Sequence, residues 1–276
     1  MGDFGDSRPL GLFDSGVGGL TVAREVFGLL PCEPVIYFGD TAHVPYGPRP
    51  REELLEFARQ IISFFVVSNV KYVIFACGTN SSLTLPVIRD LFSVPMIGLI
   101  APGAKEAVDS TRNGRIGLIA TEATVKSRAY ERAVKSIAPD VSFYAVAAPR
   151  LVPLVEAGLF GGEEARRAVF EYARPFKEAG VDTLILGCTH YPFLAPHFRE
   201  CLGSEVRLVD PARATVLEAR REMEALGILN NGGGPPRHSY FVSGDPEAFK
   251  RTAEKLGFSI EDVRRRFLGQ VPGAKG

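Results

Sequence analysis

The sequence predicts an α/β fold built as two pseudo-symmetric three-layer units with mainly parallel sheets, and three observations predict it. Short runs rich in Val, Ile and Leu recur without polar alternation, which suits strands buried on both faces. Longer amphipathic stretches separate them, giving a βαβα rhythm. The first half also echoes the second. Leu10-Gly11-Leu12-Phe13-Asp14-Ser15 resembles Ile116-Gly117-Leu118-Ile119-Ala120-Thr121, and Val73-Ile74-Phe75-Ala76-Cys77 resembles Leu184-Ile185-Leu186-Gly187-Cys188. Each cysteine run leads into a helical segment with a proline and then Arg89-Asp90 or Arg199-Glu200.

In chain order, strands are expected at 10–13, 35–38, 72–76, 96–100, 116–120, 143–147, 183–186, 207–209 and 240–242. The clearest helical patterns lie at 51–67, 126–138, 164–179 and 212–226. Turn-forming residues place one break between the units near Ala101-Pro102-Gly103 and another at Asp210-Pro211. Residues 1–101 with 210–276 then form one unit, carrying Cys77, and residues 102–209 form the second, carrying Cys188. The active site belongs in the cleft between them. Asn230 to Pro236 reads as a flexible loop, and the tail after Gly269 as disordered. The Arg264, Arg265, Arg266 triplet reads as a solvated helix face.

With 32 basic and 32 acidic residues the formal net charge is zero, which argues against a nucleic-acid-coating surface. Met1 to Pro9 contains no apolar stretch of the signal-peptide kind, and runs such as Ile61 to Val67 are too short to cross a bilayer. A cytoplasmic protein with no membrane partner is expected. There its four cysteines stay reduced rather than forming a disulfide framework.

Cys77 and Cys188 each sit where a strand ends and a helical segment begins. In open parallel sheets ligands collect at that edge, and the following helix N-terminus favours an anion, here a thiolate. One such cysteine is a candidate nucleophile or base. Two, on facing halves, suit removal of a proton from one face of a carbon and delivery from the other. Thr79, Ser81 and Thr189 lie beside them as candidate carboxylate binders. Cys32 and Cys201 lack this matched context and read as packing residues. Cys188-Thr189-His190 offers two possible metal ligands, but without the spacing of a zinc site, so no metal is expected. His190 reads as a proton-handling or substrate-orienting neighbour of Cys188, against the alternative of a satisfied core histidine. His43, His197 and His238 read as structural. Gly16-Val17-Gly18-Gly19 lacks the pattern of a phosphate loop and reads as a turn that lets Asp14 and Ser15 meet a ligand. Asp14 either pairs with a substrate ammonium, tunes a thiol, or caps a helix.

At these residues the sequence resembles the glutamate racemase family of the aspartate/glutamate racemase superfamily. The matching stretches are Phe13 through Val22, Gly39-Asp40-Thr41, Pro45-Tyr46-Gly47-Pro48-Arg49, Ala76-Cys77 with Thr79, Leu151 through Glu156, and Leu186-Gly187-Cys188-Thr189-His190-Tyr191-Pro192. The resemblance implies cofactor-free 1,1-proton transfer between L- and D-glutamate, supplying D-glutamate to peptidoglycan, by a homodimer. It implies Cys77 and Cys188 as the acid/base thiols, with Asp14, Glu156 and His190 as auxiliary catalytic groups. Asp14, Ser15, Pro45, Tyr46, Gly47, Thr79, Thr121, Thr189 and His190 are the implied substrate contacts. Thr124 is a weaker candidate that also fits a helix start. One departure stands out: the family usually has Asn after the first cysteine, and this chain has Gly78. Losing such a hydrogen bond costs about 1–3 kcal/mol if its partner stays unpaired. The substrate shifts, water fills the gap, or Asn80 reaches in. The departure also keeps open a racemase for another amino acid, such as aspartate. A single-cysteine hydrolase or lyase and a non-catalytic binding protein are the other classes.

Overall fold

A computed structural model describes residues 5–232 and 236–269. The first stretch runs β1 (Leu10–Asp14), α1 (Leu20–Leu29), β2 (Val35–Gly39), α2 (Arg51–Val67), β3 (Tyr72–Phe75), α3 (Gly78–Leu83), α4 (Leu85–Ile88) and β4 (Met96–Gly98). The second runs α5 (Ile100–Ser110), β5 (Arg115–Ala120), α6 (Glu122–Ser127), α7 (Ala129–Ile137), β6 (Ser142–Ala147), α8 (Leu151–Glu156), α9 (Glu163–Glu178), β7 (Thr183–Leu186), a 3-10 turn at Tyr191–Leu194, α10 (Ala195–Leu202) and β8 (Arg207–Val209). The chain then adds α11 (Pro211–Ala225), β9 (Ser239–Val242), α12 (Pro246–Lys255) and β10 (Val263–Arg265).

Two sheets result, both parallel in every pairing: β10-β9-β2-β1-β3-β4 and β6-β5-β7-β8. The order β2-β1-β3-β4 is the order β6-β5-β7-β8, so the sequence echo is a repeat of topology. In each sheet the first strand is central, and the chain moves to one side and then the other. That makes the carboxyl end of β1 and of β5 a switch point, where α/β sheets leave a crevice.

The inner strands β1, β3 and β7 are buried throughout because helices cover both faces, whereas the edge strands β6, β8 and β10 carry exposed residues. On one face of the first sheet Phe13, Phe38, Val73 and Phe75 pack against α2 residues Ile61, Ile62 and Phe65. On the other face Leu10, Leu12, Tyr37 and Ile74 join a cluster with Val22 and Val26 of α1 and Val216 of α11. This cluster continues without a break into the second sheet through Ile119, Leu184 and Leu186, with Val169 and Phe176 of α9. The opposite face of the second sheet is closed by Ala104, Ala107, Tyr130 and Val134 from α5 and α7.

All nine expected strands are present, with three differences of detail. Arg264 and Arg265 belong to a tenth strand, parallel to β9, and not to a helix. Their guanidinium groups, with that of Arg266, lie over Phe241, Phe267 and Phe64, so aromatic rings hold a charge run that composition alone assigns to a solvated helix. The helical pattern at 126–138 is cut by Arg128, whose φ of 53° is left-handed, and it divides into α6 and α7. Pro102 falls in the first turn of α5, where its missing N–H leaves no partner unsatisfied, so the expected turn near Ala101-Pro102-Gly103 is the start of a helix. The expected loop from Asn230 to Pro236 lies partly, and the tail after Gly269 wholly, outside the described residues. Among the described residues no helix is long and apolar enough to cross a membrane.

A buried ion pair fastens the base of the first sheet. Lys71 Nζ lies 2.6 Å from Glu33 Oε2, with both side chains at most 1% exposed. It also donates to the backbone carbonyls of Asp6 and Ile228, tying distant segments to the start of β3. Removing one member of such a pair strands the other charge. Lys71→Met is expected to lower unfolding free energy by about 3–5 kcal/mol, measured by urea denaturation.

Candidate active site

Strand-end residues from both sheets enclose one cavity of about 120 Å³. This is the size of a small metabolite, since pockets for drug-sized ligands begin near 300 Å³. From the first sheet come Ser15 after β1, the Pro45-Tyr46-Gly47 loop after β2, and Cys77 and Thr79 after β3. From the second come Thr121 after β5 and Cys188, Thr189 and His190 after β7. Cys77 and Cys188 occupy equivalent places in the two repeats and line the same space. Thr79 and Thr121 meet across the seam, Oγ1 to Oγ1, at 3.0 Å.

The chemistry around the two thiols is not symmetric. Cys77 precedes α3, and the backbone N–H groups of Thr79 and Asn80 point to its sulfur. Burial nevertheless pushes the thiol well above the ordinary cysteine range, and the charge of Asp14 adds to the effect. The expected helix-terminus effect is therefore present but smaller than desolvation, which favours the thiol form of Cys77. Cys188 instead has a histidine partner: its Sγ lies 3.6 Å from His190 Nδ1, and His190 Nε2 lies 2.6 Å from Glu156 Oε1. Burial disfavours the imidazolium, but hydrogen bonds to Cys188 and Glu156 outweigh it and hold His190 well above the ordinary histidine range. Glu156 Oε1 also accepts the N–H of Val17, 3.1 Å away, which links the relay to the loop after β1. His190 is thus buried with both ring nitrogens partnered, and it also lines the cavity beside Cys188.

Three residues expected at the substrate stand behind the wall rather than on it. Asp14 is fully buried, and its Oδ2 accepts the N–H groups of Gly16 and Gly19 at 3.0 and 2.9 Å. Its Oδ1 accepts from Thr189 Oγ1 at 3.3 Å. Burial raises its carboxyl, against the pull of His190 and of those N–H groups. Asn80 turns its Oδ1 to Thr84 Oγ1, 3.0 Å away, inside the first turns of α3. Gly78 presents its Cβ direction to the backbone of Gly187. Thr124 is a helix residue, its N–H given to the Thr121 cap at 3.3 Å. Ser81 is occupied structurally, donating to Phe75 O at 3.0 Å.

Sequence reasoning misses Pro48, Glu122, Pro149 and Val152, which complete the lining. Pro149 follows β6, and the rule that carboxyl ends of strands line the crevice points to it. It also misses Asp40, at the end of β2. This buried carboxylate accepts from Tyr46 OH, from Ser243 Oγ at 2.6 Å and from His43 Nδ1 at 2.8 Å, and so fixes the loop that supplies the Tyr46 wall. The Gly39-Asp40-Thr41 motif is its signal in the sequence. His197 bonds Phe160 O, and His238 packs on Phe27, as structural residues do.

The raised His190 sets a sign for stability against pH. A group that binds its proton more tightly when folded contributes stability fully below its unfolded value of 6.5 and loses it as pH rises through the higher folded value. Wild-type unfolding free energy is expected to fall from pH 6.5 upward, and His190→Gln to flatten that slope, as measured by urea titrations across neutral to alkaline pH.

Residues 22–219 match the family model described as Asp/Glu/Hydantoin racemase. The chain is 54% identical over 261 residues to a protein of Desulforudis audaxviator named glutamate racemase, covering 92% of this chain and 96% of that one. Its fold superposes on the glutamate racemase isoform RacE1 of Bacillus anthracis with a TM-score of 0.90 at 36% identity, covering 94% and 97% of the two chains. On a Francisella tularensis glutamate racemase in complex with D-glutamate the TM-score is 0.89 at 30% identity, covering 96% and 100%. The chain belongs to the Asp/Glu/Hydantoin racemase family.

Proposed function

We propose that this protein interconverts L- and D-glutamate by cofactor-independent proton transfer between two thiols, and that it supplies D-glutamate for peptidoglycan synthesis in the cytoplasm. The observation that carries the reading is the pair Cys77 and Cys188 lining one small cavity from two repeated units. The units divide as residues 1–101 with 210–276, and residues 102–209. Relatives named glutamate racemase support glutamate over aspartate.

In the reaction, one cysteine as thiolate takes the Cα proton, the electron pair stays on carbon, and the other cysteine as thiol gives its proton to the opposite face. The roles exchange for the reverse direction. Because burial favours the thiol form of Cys77, a turnover that uses it as the base begins with loss of its proton. A substrate ammonium entering the cavity opposes the desolvation that holds that proton on. The Cα proton is very weakly acidic, so charge developing on carbon and carboxylate needs fixed donors. Ser15, Thr79, Thr121 and Thr189, with nearby backbone N–H groups, are the available hydroxyls. His190, held by Glu156, manages the proton at Cys188, and Asp14 holds the β1 loop against the same site.

The test is incubation of the protein with L-glutamate, and separately L-aspartate, in deuterated water. The expected outcome is D-glutamate deuterated at Cα, with aspartate left largely unchanged. Cys77→Ser and Cys188→Ser are each expected to lower inversion by at least about 100-fold. A hydrolase or lyase with one reactive cysteine would instead keep most of its activity in one of the two variants.

A further inference from the structure

The residues adjoining the two thiols touch through bare backbone. Gly78 follows Cys77, and Gly187 precedes Cys188. A Cβ built on Gly78 would stand 2.1 Å from the carbonyl oxygen of Gly187, 3.2 Å from its carbonyl carbon and 3.7 Å from Cys188 Cα. The obstacle is backbone, so no rotamer change relieves it. The φ of Gly78 is not in the left-handed region, so space and not conformation requires glycine here. Gly187 has no room to retreat, because its own Cβ position is 2.6 Å from Leu118 Cδ1 and 3.1 Å from Ala120 Cβ.

We propose that Gly78 is a positioning residue: its bare contact with Gly187 sets the separation of the Cys77 and Cys188 sulfurs across the substrate carbon. This inference rests on the two-thiol reading and deepens it. Any side chain at 78 would have to move its Cβ away from the Gly187 carbonyl oxygen, from the 2.1 Å the present backbones impose toward the 3.4 Å of ordinary contact, and so part the two strand-end segments. The departure from the family's Asn is then not a missing donor. Asn80, whose Oδ1 accepts from Thr84 Oγ1, does not line the cavity. A closer approach of the two cysteine segments takes its place.

Widening the gap affects the two proton transfers unequally. The thiol that stays near Cα still removes the proton, exchanges it with solvent and returns a deuteron to the same face. Delivery from the opposite face fails. In deuterated water, Gly78→Ala is expected to lower kcat for inversion by about 100-fold, the scale of a 1 Å misplacement. Deuterium in recovered L-glutamate of retained configuration is expected to rise relative to D-glutamate formed, read by proton NMR and chiral chromatography. A loss of fold alone would not change that ratio. Gly28→Ala, whose Cβ meets nothing within 4 Å, serves as the control and is expected to behave as wild type. Gly78→Asn is expected to fall with Gly78→Ala. The proposal is overturned if Gly78→Asn inverts faster than wild type. It is equally overturned if Gly78→Ala inverts at the wild-type rate, loses exchange and inversion in equal measure, or does not fold. Absence of exchange in the wild-type protein would instead remove the two-thiol reading.

Discussion

Every strand of a parallel sheet delivers its carboxyl end to the same edge. Two such sheets, set with those edges toward one another, send all their strand-end loops into one space. That constraint organises the whole molecule. It explains why residues as distant in sequence as Ser15, Cys77, Thr121 and Cys188 share a wall, and why each is followed by a turn or a helix start. It also explains why a repeated strand order suffices to bring two like side chains to one cavity.

Symmetry of backbone does not extend to the groups that tune it. Around Cys77 the dominant influence is removal from water, reinforced by a buried carboxylate. Around Cys188 it is a hydrogen-bonded histidine backed by Glu156. A racemase runs in both directions through one site, yet the two half-reactions here meet different environments. The balance between directions is fixed by the substrate, whose enantiomers have equal free energy, so asymmetry in the protein alters how each step proceeds and not where equilibrium lies.

The fold was largely legible because buried parallel strands write themselves as apolar runs. The two cysteine contexts were legible because the repeat carried them. What stayed hidden depended on third dimensions of packing. Asp14 reads in sequence as a ligand contact, a thiol-tuning group or a helix cap, and only the fold shows its carboxylate turned back on the N–H groups of Gly16 and Gly19 just before α1. Gly78 reads as a lost amide, and only the position of the Gly187 carbonyl gives it a physical reason. The Arg264 to Arg266 run reads as solvated because its aromatic partners Phe241 and Phe64 lie far away in the chain. Asp40 escaped notice as a wall-holding residue because its partner Ser243 is 203 positions distant.

The cavity opens between exposed Pro45, Pro48 and Pro149, while Tyr46, Thr79 and His190 on its walls are each at most 2% exposed. The two sides of that opening are built differently. The apolar cluster shared by both sheets makes one side expensive to part, since separation would wet side chains such as Leu12, Ile119 and Leu186. The loop bearing Tyr46 is anchored through Asp40 by a few hydrogen bonds, which water can replace at far lower cost. The two walls of the site are therefore held by unlike forces, apolar burial on one side and the hydrogen bonds of a buried carboxylate on the other.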